Sequence, residues 1–314
     1  MTNISKYGIL LSYLIVYKRE VAGMSLFQSI IMGLIQGLTE FLPVSSSGHL
    51  AILKELFHIQ EPGMFFDVLL HMGTLSAVFV VYYKDIWKLI VEFFCILGDV
   101  GKNIAIWFGN RRYEDKEPYI RVIHNSYRKF VMLIIVSTIP TGVIGFAAKD
   151  LVEMAGQLLI VPGICLILTA VLLFIADRIP DGGKLPKNVT YTNAFMVGIA
   201  QGIATLPGLS RSGTTITACL LSGYSRKFAV KYSFIMSIPA ILGAMLLEVK
   251  DVDFSLLTGG EIRNYIIGTV VAAVVGYVCI KTMLVIVRRK KFTAFSIYCL
   301  IVGLASIGLY FYAV

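Results

Sequence analysis

Six stretches of this chain, residues 64–83, 130–148, 158–176, 232–249, 265–287 and 292–312, are each apolar over close to a bilayer-spanning length, which for a helix is about 20 residues. Lipid offers no water to the backbone, so every N–H and C=O in such a stretch must bond within its own segment, and only a helix allows that. The expected fold class is therefore an all-α polytopic membrane protein with six full transmembrane helices. Composition agrees, with 57% hydrophobic and 15% charged residues, against about 45–50% and about 25% in soluble domains. A soluble fold is excluded on those grounds.

The net charge of +9 would suggest nucleic-acid binding in a soluble protein. Here the cations sit beside the apolar stretches, with nine Lys/Arg in 84–129, three in 178–192, three in 226–231 and four in 288–291. By the positive-inside rule these loops are cytoplasmic, and the acidic connections 149–156 and 250–263 face outward. The basic run Arg288-Arg289-Lys290-Lys291 then reads as a stop between spans. Residues 86–97 are too short to span and carry Lys88 and Glu92, which predicts a membrane-surface helix. Phe65, Phe66, Tyr82, Tyr83 and Trp87 read as an interfacial aromatic belt. The five cysteines are scattered without a C-x-x-C pair and read as small core residues. Met24 opens the strongly patterned region, so residues 1–23 read as an interfacial extension or as an artefact of start-site choice, and 24–314 as one membrane domain.

Two further apolar regions, 25–57 and 193–223, are interrupted by Pro, Gly and clustered hydroxyl residues. Irregular backbone at membrane depth is tolerated only where protein or a water-filled cavity satisfies it, so both are expected to be re-entrant helical hairpins that line a site. They also match each other. Gly33, Gln36, Gly37, Ser45, Ser47 and Gly48 recur 165 positions later as Gly198, Gln201, Gly202, Ser210, Ser212 and Gly213. Loop charges place the two hairpins on opposite faces, which predicts an inverted-topology repeat: one half over about 24–150, a second over about 190–314, and a linking helix over about 157–177. A Ser/Ile/Pro element follows each hairpin, Ser137-Thr138-Ile139-Pro140 and Ser237-Ile238-Pro239. Close helix packing alone explains the glycines but not the ionisable residue in each motif.

The first motif runs from Gln36 through Glu40, Pro43 and Ser45-Ser46-Ser47-Gly48-His49, the second from Pro207 through Ser210-Arg211-Ser212-Gly213-Thr214-Thr215. Intramembrane Glu, His and Arg are costly and mark function with mutual partners. Arg211 offers a planar fork of donors for phosphoryl oxygens, and the helix N-terminus behind it adds backbone N–H groups. Ser210, Ser212, Thr214 and Thr215 complete that cradle, while Ser45 and Ser47 belong to a second anion-binding nest. Two nests suit two phosphates. Hydrolysis also needs a nucleophile and a proton carrier, and the residues leave open a serine activated by His49, direct attack by His49, or an activated water. Glu40, helped weakly by Gln36, can hold one hard divalent cation; the plainer alternative is a structural Glu40–Arg211 pair.

These motifs closely resemble those of undecaprenyl-diphosphate phosphatases, the bacitracin-resistance family, and the resemblance extends over essentially residues 24–314. It implies hydrolysis of undecaprenyl diphosphate to undecaprenyl phosphate and inorganic phosphate, which recycles the cell-wall carrier lipid and confers bacitracin resistance. It also implies a divalent cation, Mg2+ or Ca2+, and a site that opens to the outer side of the bacterial inner membrane. By motif position, Glu40 matches the second carboxylate of the family's first motif, Ser46 its proposed nucleophilic or phosphate-contacting serine, His49 its histidine and Arg211 its arginine; Ser210 and Thr215 match further polar positions. Members often carry Glu where Gln36 stands, so a two-carboxylate metal site is not implied for this chain.

Elsewhere the signals are weaker. Asp67 and His71 lie four apart on one face of a span and are placed to pair; otherwise Asp67 caps its helix and His71 is hydrogen-bonded in the core. His58 and His124 read as solvated. The expected partners are a polyprenyl diphosphate lipid and the bilayer, with no nucleic acid, and a homo-oligomer is compatible with the pattern. The competing class is an inverted-repeat secondary transporter or lipid flippase, which would need the anion clamp but no nucleophile.

Overall fold

Each broken apolar region forms two helices separated by a short irregular turn. Helix α1, Leu26–Phe41, starts at a capping box in which the Ser25 hydroxyl accepts from Gln28 N and the Gln28 side chain accepts from Ser25 N. It ends because Pro43 follows: the residue before a proline is pushed out of the helical region, and Leu42 is extended at φ −69°, ψ 142°. Helix α2, Ser46–Leu56, begins four residues on. The computed structural model describes residues 24–57, 59, 65–112, 115–156, 158–251, 257–288 and 291–313. The 1–23 extension, His58 and two members of the 288–291 basic run lie outside the described residues.

Next come α3, Phe65–Arg112, with a non-helical residue at Tyr82; α4, Ser126–Ala147; the short α5, Lys149–Gly156; and α6, Ile160–Arg178. The second broken region gives α7, Tyr191–Ile203, and α8, Arg211–Leu221. Helices α9, Arg226–Glu248, α10, Gly259–Arg288, and α11, Phe292–Ala313, complete eleven α-helices among the described residues. Six of them, α3, α4, α6, α9, α10 and α11, are long and apolar enough to cross a membrane. These are the six stretches read from sequence.

Three expectations are corrected. The helix over 86–97 is no short separate element: α3 runs on from the span to Arg112, because only Tyr82 leaves the helical region and no Pro interrupts the sequence. The connection after α4 is itself helical as α5. Of the supposed aromatic belt, Phe66 and Tyr82 are buried in the core, whereas Tyr83 and Trp87 are exposed.

Close backbone crossings hold the bundle together. Helix α1 lies against α10 and α7 against α4. A Cβ on Gly33 would sit 2.2 Å from the Gly268 carbonyl oxygen, and one on Gly198, its counterpart 165 positions on, 2.1 Å from that of Ser137. At both crossings only glycine fits. The Ser/Ile/Pro elements lie on the adjacent helices α4 and α9, where the Tyr232 hydroxyl stands 2.8 Å from the Leu133 carbonyl and 3.0 Å from the Ser137 hydroxyl. Cys165, Cys219, Cys279 and Cys299 are buried free thiols, and Cys95 is an exposed one.

Candidate active site

Both helix breaks end in the same cap. Ser45 accepts at its hydroxyl from Gly48 N (3.3 Å) and Ser210 from Gly213 N (3.1 Å), so the serine starts each helix and the glycine keeps the first turn open. Ser45 does this at φ 67°, a strained left-handed conformation. Gly208, at φ +89°, lies where a Cβ would stand 2.2 Å from the Pro162 carbonyl. The two breaks touch directly: Gly208 N donates to the Ser47 hydroxyl (3.3 Å), and the Ser212 hydroxyl donates to the Leu42 carbonyl (3.4 Å). Thr169 of α6 braces the second break, accepting from Ser210 N (2.9 Å) and lying 3.2 Å from the Gly208 carbonyl.

Glu40, on the last turn of α1 and 5% exposed, sits at the meeting point. One carboxylate oxygen pairs with the Arg211 guanidinium. The other accepts from the Ser46 hydroxyl at 2.6 Å and from Gln36 Nε2 at 3.0 Å, and lies 3.3 Å from His71 Nδ1. Gln36 Nε2 is also 3.0 Å from that same ring nitrogen. The helical turn explains the Gln36–Glu40 contact, since residues four apart share a face. The Pro43 break turns the chain back so that Ser46 reaches the same carboxylate. The Glu40–Arg211 pair weighed from sequence is thus present, and it forms part of a larger polar cluster.

Three polar atoms of these motifs are buried and have no hydrogen-bond partner: Arg211 Nη1, Gln36 Oε1 and Thr214 Oγ1. Buried polar groups are rarely left unpaired, so a donor, an acceptor and a hydroxyl held ready in one motif set point to a polar ligand. The other cradle residues already have partners. Ser45 and Ser47 lie 3.3 Å apart at their hydroxyls, as do Ser210 and Ser212, and the Thr215 hydroxyl donates to the Arg211 carbonyl (2.8 Å) and lies 2.6 Å from that of Ser233.

His49 is not bonded to Ser46. Its Nδ1 lies 2.7 Å from the Ser45 carbonyl, which can only accept, so Nδ1 carries the proton. Nε2 lies 2.8 Å from the Tyr298 hydroxyl, and the two rings stack at 5.6 Å with an interplanar angle of 5°. The proposed Asp67–His71 pair is not made either: Asp67 takes Lys54 (2.7 Å), while His71 turns to Gln36 and Glu40. His124 is exposed, with Nδ1 3.2 Å from the Arg121 carbonyl, as a solvated histidine would be. Tyr298, Thr169 and Ser233 were not singled out from sequence; each is one polar residue within a helix, without a local pattern to mark it.

For a hard divalent cation the available donors are the Glu40 carboxylate, the unpartnered Gln36 Oε1 and the Ser46 hydroxyl, all oxygens of the class Mg2+ and Ca2+ take. No group of three or more His, Cys, Asp or Glu gathers among the described residues, and hard divalent cations commonly complete their shells with water and phosphate oxygens.

Comparison with known proteins adds the family. Residues 29–305 match the family described as bacitracin resistance protein BacA. The undecaprenyl-diphosphatase of Alkaliphilus metalliredigens is 40% identical over 283 residues, covering 89% of this chain and 97% of that protein. The undecaprenyl-diphosphatase of Halothermothrix orenii is 40% identical over 287 residues, covering 90% and 98%, and that of Methanosphaera stadtmanae 37% over 289 residues with the same coverage. With six membrane-crossing helices and both polar motifs gathered on one carboxylate, this multi-pass membrane protein belongs to the BacA bacitracin resistance family.

Proposed function

We propose that this protein is an undecaprenyl-diphosphatase that removes the terminal phosphate of undecaprenyl diphosphate inside the membrane, releasing undecaprenyl phosphate and inorganic phosphate and so recycling the cell-wall carrier lipid. The observation that carries the chemistry is Ser46 and Arg211 held on the buried Glu40 carboxylate, with Arg211 Nη1 buried and unpartnered. Arg211 Nη1, Thr214 and the first-turn amides of α8 bind the terminal phosphoryl oxygens. Ser46 Oγ attacks phosphorus and gives its proton to Glu40. The bridging P–O bond breaks, undecaprenyl phosphate leaves, and water then hydrolyses the phosphoseryl ester. His49, through Nε2 and beside Tyr298, serves proton transfer in the second step. A divalent cation bound with the diphosphate would be held by Glu40 and Gln36, and it would neutralise charge on the phosphoryl oxygens.

Two re-entrant hairpins inserted from opposite faces, within an inverted repeat of 24–150 and 190–314 joined by a linking helix over 157–177, are the topology that fits this site. Supporting it are the 165-residue offset, the matching Gly N–H to serine hydroxyl cap bonds at Ser45 and Ser210, and the crossed packing of α1 on α10 and α7 on α4, which are each other's counterparts in helix order. The basic loops support a site opening to the outer side of the membrane. A transporter would need the Arg211 clamp but no hydroxyl held on a carboxylate.

The test is phosphate release from undecaprenyl diphosphate by the detergent-purified protein, Ser46→Ala and Arg211→Ala, each with Mg2+, Ca2+ or chelator. Cation-dependent release by the unaltered protein, lost in both variants, is the expected result. A folded protein that releases no phosphate would sink the reading.

A further inference from the structure

Beyond the kink at Tyr82, the second half of α3 carries an apolar surface that the helix bundle does not cover. One side of it is used: Ile86, Leu89 and Ile96 are buried in the core. Asp85, Lys88, Glu92, Asp99 and Lys102 fall on another side by their three- and four-residue spacing. The remaining side presents Trp87, Val91, Phe94, Ile104 and Phe108 at 43–67% exposure. That row continues, across the kink, the outward row of Phe79, Val80 and Tyr83 on the membrane-crossing part of the same helix.

This segment is built, not loose. Asn103 donates to the Ile120 carbonyl and accepts from Ile120 N, both at 2.8 Å; Asn110 brackets Glu117 in the same way at 2.9 and 2.8 Å. Arg128 then ties the base of the arm, donating to Glu92 (2.8 Å), Asp99 (2.5 Å) and the Val122 carbonyl (2.7 Å). The returning chain therefore runs alongside α3 and fixes which face is left bare. Trp107, Phe108 and Tyr119 wall an open apolar groove of about 480 Å3 at its far end.

We propose that this arm, residues 84–112 with the returning 115–125, lies flat in the cytoplasmic interface of the membrane, with its bare apolar row seated at the headgroup–acyl boundary of the lipid surface. The continuity of that row with the lipid-facing side of the span selects lipid as the occupant. From Asp85 to Lys102 the charges keep to one side and the exposed large apolar residues to another, the pattern of an interfacial helix. An arm standing upright in water would expose a contiguous apolar surface of a kind soluble surfaces rarely carry. The kink at Tyr82 is where the helix turns from crossing the bilayer to running along it.

The chain supplies its own probe, because both of its tryptophans, Trp87 and Trp107, lie on this arm. They are 20 residues apart, about 30 Å along a helix at 1.5 Å per residue. Twenty residues also turn a helix by about 200°, so Trp87 lies on the bare row while Trp107 faces the groove beside Tyr119 and Arg111. The far end of the row is therefore read at Phe108, as Phe108→Trp in a chain that also carries Trp87→Phe and Trp107→Phe, and the near end at Trp87 in the Trp107→Phe chain, each checked for retained phosphatase activity. The full chain is reconstituted in phosphatidylcholine vesicles containing lipid brominated high on the acyl chain. The expected result is that brominated lipid quenches the tryptophan at position 108 by about half, as it does Trp87, while aqueous iodide quenches it little. Iodide quenching at position 108 without quenching by brominated lipid would overturn the proposal, because the arm would then stand in water. Shielding from both quenchers would overturn it equally, because protein, such as a second copy of the chain, would then cover the row.

Discussion

Ser46 donates its hydroxyl hydrogen bond to the Glu40 carboxylate across 2.6 Å, although the two residues belong to different helices and a proline lies between them. On the proposed mechanism the pairing gives Glu40 a chemical task besides neutralising Arg211, since a carboxylate at this distance is in reach of the proton that a serine nucleophile must lose. Ser46→Ala is therefore expected to lower kcat at least about 10³-fold, and Glu40→Gln, which keeps the shape but cannot take a proton, about 10²–10⁴-fold. Single-turnover phosphate release measures both. A phosphoserine at Ser46, trapped by acid quench and found by peptide mass, is expected in the unaltered protein and absent from Ser46→Ala.

Glu40 is buried and Arg211 partly so, and breaking a fully buried charge pair from one side costs about 3–5 kcal/mol, an upper bound for this one. Arg211→Ala should lower the Tm markedly, and adding Glu40→Gln should restore much of it, because the uncompensated charge is then gone. Arg211→Lys keeps the charge but loses the fork that leaves Nη1 free for substrate, so stability should largely hold while kcat/KM drops about 10²-fold. Thermal unfolding and turnover on the same four proteins separate the two effects.

Asp67 and His71 are next-turn neighbours with different partners, Lys54 for the first and the Gln36–Glu40 pair for the second. His71→Ala is expected to reduce turnover about tenfold through the lost support of Glu40, and Asp67→Asn to leave it within about twofold. Equal losses in the two variants would show that the histidine acts through the aspartate after all.

Tyr298→Phe keeps the stacked ring beside His49 but removes the hydroxyl at Nε2. One lost hydrogen bond of about 0.5–1.5 kcal/mol corresponds to roughly a two- to tenfold fall in kcat with KM little changed. Tyr298→Ala should fall further, having lost the stack as well.

Much of this arrangement was legible in the sequence. Runs of apolar residues at membrane-crossing length gave all six spans, because lipid forces the backbone into helices whatever the side chains do. The two breaks were legible from Pro43, Pro207 and Gly208, whose backbone restrictions are local. Glu40 and Arg211 were marked by the cost of burying charge, and Ser46 by the resemblance of its motif to that of the undecaprenyl-diphosphate phosphatases. What stayed hidden depends on tertiary approach. Tyr298 is one tyrosine in an apolar run, and its bond to His49 joins residues 249 positions apart. His71 was visible either as a partner for Asp67 or as a hydrogen-bonded core residue, and packing against α1 decides for the second, with Gln36 and Glu40 as its partners. The full length of α3 was missed because charged residues read as a loop when they form one face of a continuing helix.

The contact between the two breaks fixes the two motifs to each other. Gly48 and Gly208 meet so closely that a Cβ on the first would stand 3.0 Å from the Cα of the second, and Ser47 and Ser212 fasten the same seam. Swinging the halves apart would dismantle the Glu40–Arg211 pair along with it. Parting that seam would therefore leave a buried carboxylate without its counter-charge, so the two breaks behave as one unit and not as two independently moving halves.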